Sequence, residues 1–170
     1  MSEFKHLEEI IRDVPDFTKK GVIFKDITPL LNEKFTETID AMISLVPNWD
    51  EVDAICGIES RGFIFGSAIA QEMGLGFIPL RKKGKLPPPT FEESYSLEYG
   101  EATLEIQDSY QSGSVILIDD VIATGGTLKA GHRLCETAGL KVSSALALIN
   151  LKFLNNLKDF SCEIHSVFEY

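Results

Sequence analysis

A chain of 170 residues, 44% hydrophobic and 25% charged, has a globular composition and enough length to bury the core of one domain, expected over 1–170. Its net charge of −10 works against nonspecific attachment to nucleic acid, so no nucleic-acid partner is expected. No apolar run reaches membrane-spanning length, and the charges spread through Met1 to Arg12 are unlike a secretory leader; the expectation is a cytoplasmic protein with no membrane partner.

In chain order, Glu3 to Arg12 reads as a short helix, with Phe4, Leu7, Ile10 and Ile11 on one face. Pro15 to Pro29 reads as irregular. Thr36 to Val46 has helical spacing, with Thr36 as a candidate N-cap. Asp53 to Gly57 is a strand, Phe63 to Met73 a helix and Gly76 to Leu80 a strand. Lys82 to Glu93, with three consecutive prolines and several charges, reads as a mobile lid-like loop. Tyr95 to Tyr99 and Ala102 to Ile106 suit a hairpin around Gly100-Glu101. Ser114 to Ile118 is a short apolar strand, Thr127 to Gly139 a helix, Val142 to Leu151 a buried strand and Glu163 to Tyr170 a weaker one. Strands alternate with helices through the middle, which predicts an α/β fold with a mainly parallel sheet and helices on both sides. Cys56, Cys135 and Cys162 are odd in number and include no Cys-x-x-Cys pair. They read as small core residues rather than a disulfide or zinc set.

The richest chemistry follows Ile118. Asp119 and Asp120 end the apolar strand, and Ala123-Thr124-Gly125-Gly126-Thr127 lead into the helix. Glycines let a main chain approach a ligand closely, and successive N–H groups at a helix start form an anion site. The dipole adds only about 0.3–1 kcal/mol, so aimed hydrogen bonds, including those of the Thr124 and Thr127 hydroxyls, must supply most of the grip. Ionised carboxylates are acceptors, suited to a vicinal diol or to a metal riding on one. Successive strand residues face opposite ways, so a turn is expected at Asp119 and Asp120 if both serve one ligand. No Gly-Lys-Ser/Thr follows at Walker A spacing, and the third glycine of a dinucleotide fingerprint is missing.

A second strand-to-helix junction, Gly57-Ile58-Glu59-Ser60-Arg61-Gly62, offers N–H groups and a guanidinium whose planar fork suits pyrophosphate, although such an arginine can equally pair with a nearby carboxylate. Arg81, Lys82, Lys83 and Lys85 stand at the edge of the expected lid. By alternation, Glu98 lies on the polar side of its strand with Ser94 and Ser96, opposite Tyr95, Leu97 and Tyr99.

Val115 to Thr127 resembles the phosphoribosyl-pyrophosphate motif of type I phosphoribosyltransferases: four apolar residues, two acids, then Ala-Thr-Gly-Gly-Thr. Gly57 to Gly62 is similar to the pyrophosphate loop of that family. Gly84-Lys85-Leu86-Pro87 and Tyr95 to Gly100 resemble the catalytic-loop signature of its adenine-specific branch, and Gly21 to Pro29 resembles that branch's adenine hood. The resemblance implies a twisted sheet flanked by helices, an N-terminal arm and hood over 1–35, and a flexible loop and hairpin over 82–106. It also implies transfer of the phosphoribosyl group from 5-phosphoribosyl 1-pyrophosphate to adenine, giving AMP. The 5′-phosphate would lie on Ala123 to Thr127, and the ribose diol on Asp119 and Asp120. Pyrophosphate would meet Glu59, Ser60, Arg61, Arg81, Lys82, Lys83 and Lys85, with Tyr99 also in the substrate site. Glu98 becomes the catalytic carboxylate, and Ile23, Phe24 and Lys25 the adenine contacts. Lys25 departs from the arginine frequent there, which spares main-chain recognition but not a bidentate contact to phosphate. Magnesium is implied as a passenger of the substrate, with no dedicated protein ligands, and a homodimer is implied as the assembly. Two rivals are a phosphoribosyltransferase for another base and a non-catalytic regulator that senses sugar phosphates.

Overall fold

The computed structural model describes residues 4–17, 20–96, 100–110 and 112–170. Contacts gather them into two compact units, Met1–Ser44 and Leu45–Tyr170. The first contains helix α1 (Lys5–Glu8), strands β1 (Arg12–Pro15) and β2 (Ile23–Asp26), and helices α2 (Thr28–Glu33) and α3 (Phe35–Ser44). The expected first helix is therefore shorter, and its last residue belongs to a strand. The segment expected to be irregular contains β2, paired antiparallel with β1, and the start of α2. Pro29 sits in the first turn of α2, where its missing N–H breaks no helical bond. Arg12 fastens the pair of strands by donating to Asp26 Oδ2 from Nη2 (2.7 Å) and Nε (3.1 Å). Leu7, Ile27, Leu30, Ile39, Ala41 and Met42 are among the buried side chains that give this small unit its interior.

The second unit carries β3 (Ala54–Ile58), α4 (Gly62–Met73), β4 (Gly76–Lys82), β5 (Thr90–Ser96), β6 (Glu101–Gln107), β7 (Ser114–Ile122), α5 (Gly126–Thr137), β8 (Lys141–Asn150) and β9 (Glu163–Glu169). Seven strands form one sheet in the order β5-β6-β4-β3-β7-β8-β9. The β4-β3-β7-β8-β9 stretch is parallel, and the β5-β6 hairpin is antiparallel at one edge. Alternation sorts the side chains of β3. Ile55 and Gly57 face α4, where Gly66 leaves room for Phe77, whereas Cys56 and Ile58 join Leu117, Leu128, Leu134 and Cys135 under α5. The helices thus cover opposite faces of the sheet, as the α/β reading expected. Cys56 and Cys135 are buried neighbours, and their proximity together with burial pushes the Cys56 thiol well up; Cys162 is half-buried, and desolvation raises it to about 11. His132 is buried on α5, 3.0 Å from Ser161 Oγ and edge-on to Phe160.

Two boundaries matter for function. The hairpin begins at Thr90, so the expected Lys82–Glu93 loop shrinks to 83–89. Polar Glu92, Glu93 and Ser94 become a strand because β6 supplies their ladder partners. Strand β7 runs on through Asp119 and Asp120 to Ile122, paired with β8 as far as Asn150, so the chain does not turn at the acids. Among the described residues, no helix is long and apolar enough to cross a membrane.

Candidate active site

Strands β3 and β7 are parallel neighbours, in register from Ala54↔Val115 to Gly57↔Ile118. Their carboxyl ends therefore release two loops side by side, one into α4 and one into α5. The sheet continues away from them in opposite directions, through β4 and through β8, which makes the crevice where open α/β sheets take ligands. Gly62 lets α4 start hard against β7. A Cβ there would lie 2.7 Å from the Ile118 carbonyl oxygen and 3.3 Å from Asp119 Oδ1.

The two acids look in different directions, as strand alternation requires. Asp119 lines a cavity of about 70 Å³ together with Ala123, Thr124, Gly125 and Thr127, all of them expected site residues. Its Oδ1 accepts the Asp120 N–H at 2.8 Å. Desolvation first, and then the adjacent Asp120 charge, push the Asp119 carboxyl well above the ordinary carboxylate range. Asp120 is 5% exposed, and its Oδ2 lies 2.9 Å from Arg61 Nε but accepts no hydrogen bond. In this state Arg61 is an ion-pair partner at the start of α4. A half-buried and a buried acid, held apart by alternation and answered by one guanidinium, form a site that hydroxyl donors or a cation would relieve.

The turn expected to hold the phosphate leads into the N-terminus of α5. Gly125 precedes the helix at φ +83, and no side chain caps it, so the first-turn N–H groups face the loop. The strand β8 side buttresses this turn. Asn155 Nδ2 donates to the Ala123 carbonyl at 3.0 Å, to Asn150 Oδ1 at 3.0 Å and to the Leu151 carbonyl at 2.9 Å. Leu157 packs under Gly125, where a Cβ would come within 2.8 Å of its Cδ2. From the other side, the Ser96 carbonyl and the Tyr95 ring come within 3.5 and 3.7 Å of where a Gly126 Cβ would stand.

The cations gather on Glu59. Its Oε2 accepts the Lys82 N–H at 2.9 Å and Arg81 Nε at 3.3 Å, and its Oε1 lies 3.6 Å from Lys85 Nζ. Burial raises the Glu59 carboxyl, but the Lys82 N–H, Arg81 and Lys85 outweigh it and hold it below its usual range. Lys83 pairs instead with Glu92 at 2.7 Å. Ser60 stands in the turn between Glu59 and Arg61, and the Glu59–Ser60 peptide is cis. Glu98 and Tyr99, the expected catalytic carboxylate and its neighbour, lie outside the described residues. In the first unit, the three expected adenine contacts are consecutive in β2. Ile23 is 56% exposed, the Phe24 ring meets Phe17 at a centroid distance of 5.1 Å, and Lys25 Nζ is 2.7 Å from Asp13 Oδ1.

Comparison with known proteins shows the family of the chain. Residues 30–152 match the family described as phosphoribosyl transferase domain. The chain is 45% identical to an adenine phosphoribosyltransferase of Bdellovibrio bacteriovorus over 165 residues, covering 96% of this chain and 99% of that one. The chain belongs to the adenine phosphoribosyltransferase family. The crystal structure of the Thermoanaerobacter pseudethanolicus family member superposes with a TM-score of 0.91 at 38% identity, over 98% of this chain and 99% of that one. The Saccharomyces cerevisiae member, complexed with an imino-altritol bisphosphate and adenine, superposes at 0.89 with 33% identity, over 96% and 97%. Two residues that support the site escaped the sequence reading. Asn155 lies in a polar segment with no periodicity. Glu105 lies between buried Leu104 and Ile106, where alternation makes a glutamate look merely solvent-facing.

Proposed function

We propose that this phosphoribosyltransferase moves the 5-phosphoribosyl group from 5-phosphoribosyl 1-pyrophosphate to adenine, releasing AMP and pyrophosphate, with the residues around the β3 and β7 loops as its machinery. The observation that carries this reading is the adjacency of the two loops, with Arg61 2.9 Å from Asp120 beside a cup walled by Asp119, Thr124, Gly125 and Thr127. The N–H groups and hydroxyls of Ala123 to Thr127, Gly126 included, hold the 5′-phosphate. Asp119 accepts from the ribose hydroxyls within the cup, and Asp120, which alternation turns toward Arg61, reaches the sugar only where Arg61 yields; each charge-assisted bond contributes about 1.5–3 kcal/mol.

Arg61 exchanges part of its pairing with Asp120 for the pyrophosphate. Arg81 and Lys82 meet that group from the end of β4, and Lys83 and Lys85 from the loop that follows, with Glu59 and Ser60 shaping the turn beneath it. Charge that develops on the sugar and on the leaving group meets these preset groups, which supply the largest share of the rate.

Glu98 takes the purine N9 proton or steadies the sugar cation, and Tyr99 flanks it. Support comes from Ser96, two residues earlier, whose carbonyl lies beside Gly126. Ile23 and Lys25 offer main-chain groups to the adenine edge and Phe24 its ring face. The yeast family member, solved with adenine, supports the choice of base. A carbonyl acceptor aimed at the amino group leaves hypoxanthine unpaired, a difference worth up to about 10⁴–10⁵ in selectivity.

Magnesium fits Asp119 and Asp120, hard oxygen donors of which Asp120 Oδ2 is buried and accepts no hydrogen bond. When bound, the ion neutralises charge on the pyrophosphate. The resemblance to the family also supports a cytoplasmic homodimer, and sedimentation velocity tests the assembly.

The deciding experiment is turnover of adenine, hypoxanthine and guanine with the activated sugar and magnesium. AMP formed from adenine, with the other bases slower by orders of magnitude, is the expected result. Binding of the sugar phosphate without turnover of any base would mark a sensor instead. Glu98→Gln is expected to lower kcat by about 10²–10⁴. Unchanged kcat, with chemistry shown to limit the rate, removes Glu98 from its role.

A further inference from the structure

We infer that Glu105 is a positioning residue, which shapes the Lys82–Leu86 loop so that its cations meet the pyrophosphate; the inference rests on the assignment of Lys85 and its neighbours to that group. Glu105 lies in β6, directly across from Arg81 of β4 on one side and Glu92 of β5 on the other. It is 3% exposed. Its carboxylate collects three successive main-chain donors. Oε2 accepts the Gly84 N–H at 3.1 Å, and Oε1 accepts those of Lys85 and Leu86, each at 2.6 Å.

A buried carboxylate is tolerated only when its oxygens are satisfied. Three consecutive N–H groups converge on one anion only in a concave loop conformation. The carboxylate therefore selects the shape of the loop. Arg81 closes the same turn from outside by donating from Nη1 to the Lys85 carbonyl at 3.1 Å. The product is a fixed take-off point for Lys85, whose ammonium stands 3.6 Å from Glu59 Oε1, and for Lys82, whose N–H meets Glu59 Oε2 at 2.9 Å.

Little else in this loop can do the same work. Lys82 to Lys85 and Pro87 to Pro89 are exposed, and Leu86 is only half-buried. No apolar interior holds the segment, so polar contacts define it. The negative charge of Glu105 also lies close to Arg81, which limits the repulsion among four neighbouring cations while no pyrophosphate is present.

The test separates ligands that carry pyrophosphate from those that do not. Glu105→Gln keeps the volume but turns an acceptor into an amide donor facing N–H groups. Leu86→Pro deletes one donor from the loop side and leaves the buried position untouched, so the test survives if the first variant fails to fold. Calorimetry with pyrophosphate, 5-phosphoribosyl 1-pyrophosphate, AMP and ribose 5-phosphate, alongside steady-state kinetics, gives the readout. Both variants are expected to weaken the first two ligands about tenfold to a hundredfold, with AMP and ribose 5-phosphate held within about twofold. Lys85→Ala is run in parallel. If it weakens pyrophosphate binding while Glu105→Gln and Leu86→Pro do not, the positioning role is wrong and the loop assignment stands. If Lys85→Ala, with Arg81 and Lys83 varied in turn, leaves pyrophosphate binding intact, the loop assignment itself fails and the role of Glu105 falls with it. Equal weakening of all four ligands in both variants would reduce Glu105 to a general structural part and overturn the inference.

Discussion

Replacing Gly125 with alanine tests the anion cup at its tightest point. The residue holds φ +83 immediately before α5. A non-glycine residue in the left-handed region loses about 1–2 kcal/mol. The new Cβ would also lie 2.8 Å from Leu157 Cδ2 and 3.2 Å from Cδ1 and Cγ, against a carbon–carbon optimum of about 3.5–4.0 Å. Overpacking of this kind costs about 1–3 kcal/mol, and the lower half of that range applies because a leucine tip can shift. The sum is about 2–4 kcal/mol of lost stability. If the turn relieves that strain by rotating, at least one main-chain donor leaves the phosphate. Losing one charge-assisted bond weakens ribose 5-phosphate binding about tenfold to a hundredfold. Urea unfolding followed by circular dichroism gives the first quantity, and calorimetric titration with ribose 5-phosphate gives the second. Leu157→Ala in the Gly125→Ala background should return the steric share and leave the conformational one, so the two changes should be non-additive. A Gly125→Ala protein with the stability and affinity of the parent would refute the steric reasoning and the location of the cup together.

Asp119→Asn keeps the Oδ1 acceptor for the Asp120 N–H but removes a carboxyl that folding holds well above its ordinary pKa of 3.8. The folded state of the parent binds more protons, so the ligand-free parent loses stability as pH rises from near 4 through the raised folded value. The variant should therefore melt higher than the parent at neutral pH, lose that advantage toward pH 4, and bind the activated sugar more weakly. An unchanged melting temperature at neutral pH would contradict the desolvation and charge repulsion assigned to this carboxyl. Arg61→Met leaves the buried Asp120 carboxylate without its ion pair and should cost up to about 3 kcal/mol in the ligand-free protein, the upper value being trimmed because Arg61 is 42% exposed. Adding Asp120→Asn should restore most of that loss in thermal unfolding, and a failure to do so would mean the pair is not coupled. Asn155→Ala removes the donor that tethers the Ala123 carbonyl and should cost about 0.5–1.5 kcal/mol, together with a higher KM for the activated sugar and an unchanged KM for adenine. Equal changes in the two KM values would detach Asn155 from the cup.

Much of this molecule is legible without coordinates. The apolar runs of β3, β4, β7 and β8 can be buried only by a covered sheet, and the spacing within α4 and α5 can be satisfied only by packing on it. Gly125-Gly126 between a strand and a helix marks a tight turn into α5, because few residues other than glycine accept the positive φ that Gly125 adopts. These features are local: the side chains themselves carry the preference. The remaining features depended on partners distant in sequence. Polar β5 exists because β6 pairs with it, and β7 extends through two acids because β8 continues beside it. Arg61 meets Asp120 only because parallel pairing sets β3 against β7, although 59 positions separate the two residues. The role of Glu105 depends on a loop that folds back over its strand, since a lone glutamate in an alternating pattern looks like any exposed one. Hydrogen-bond satisfaction of buried charge is a pairwise property, so only the tertiary structure could decide it.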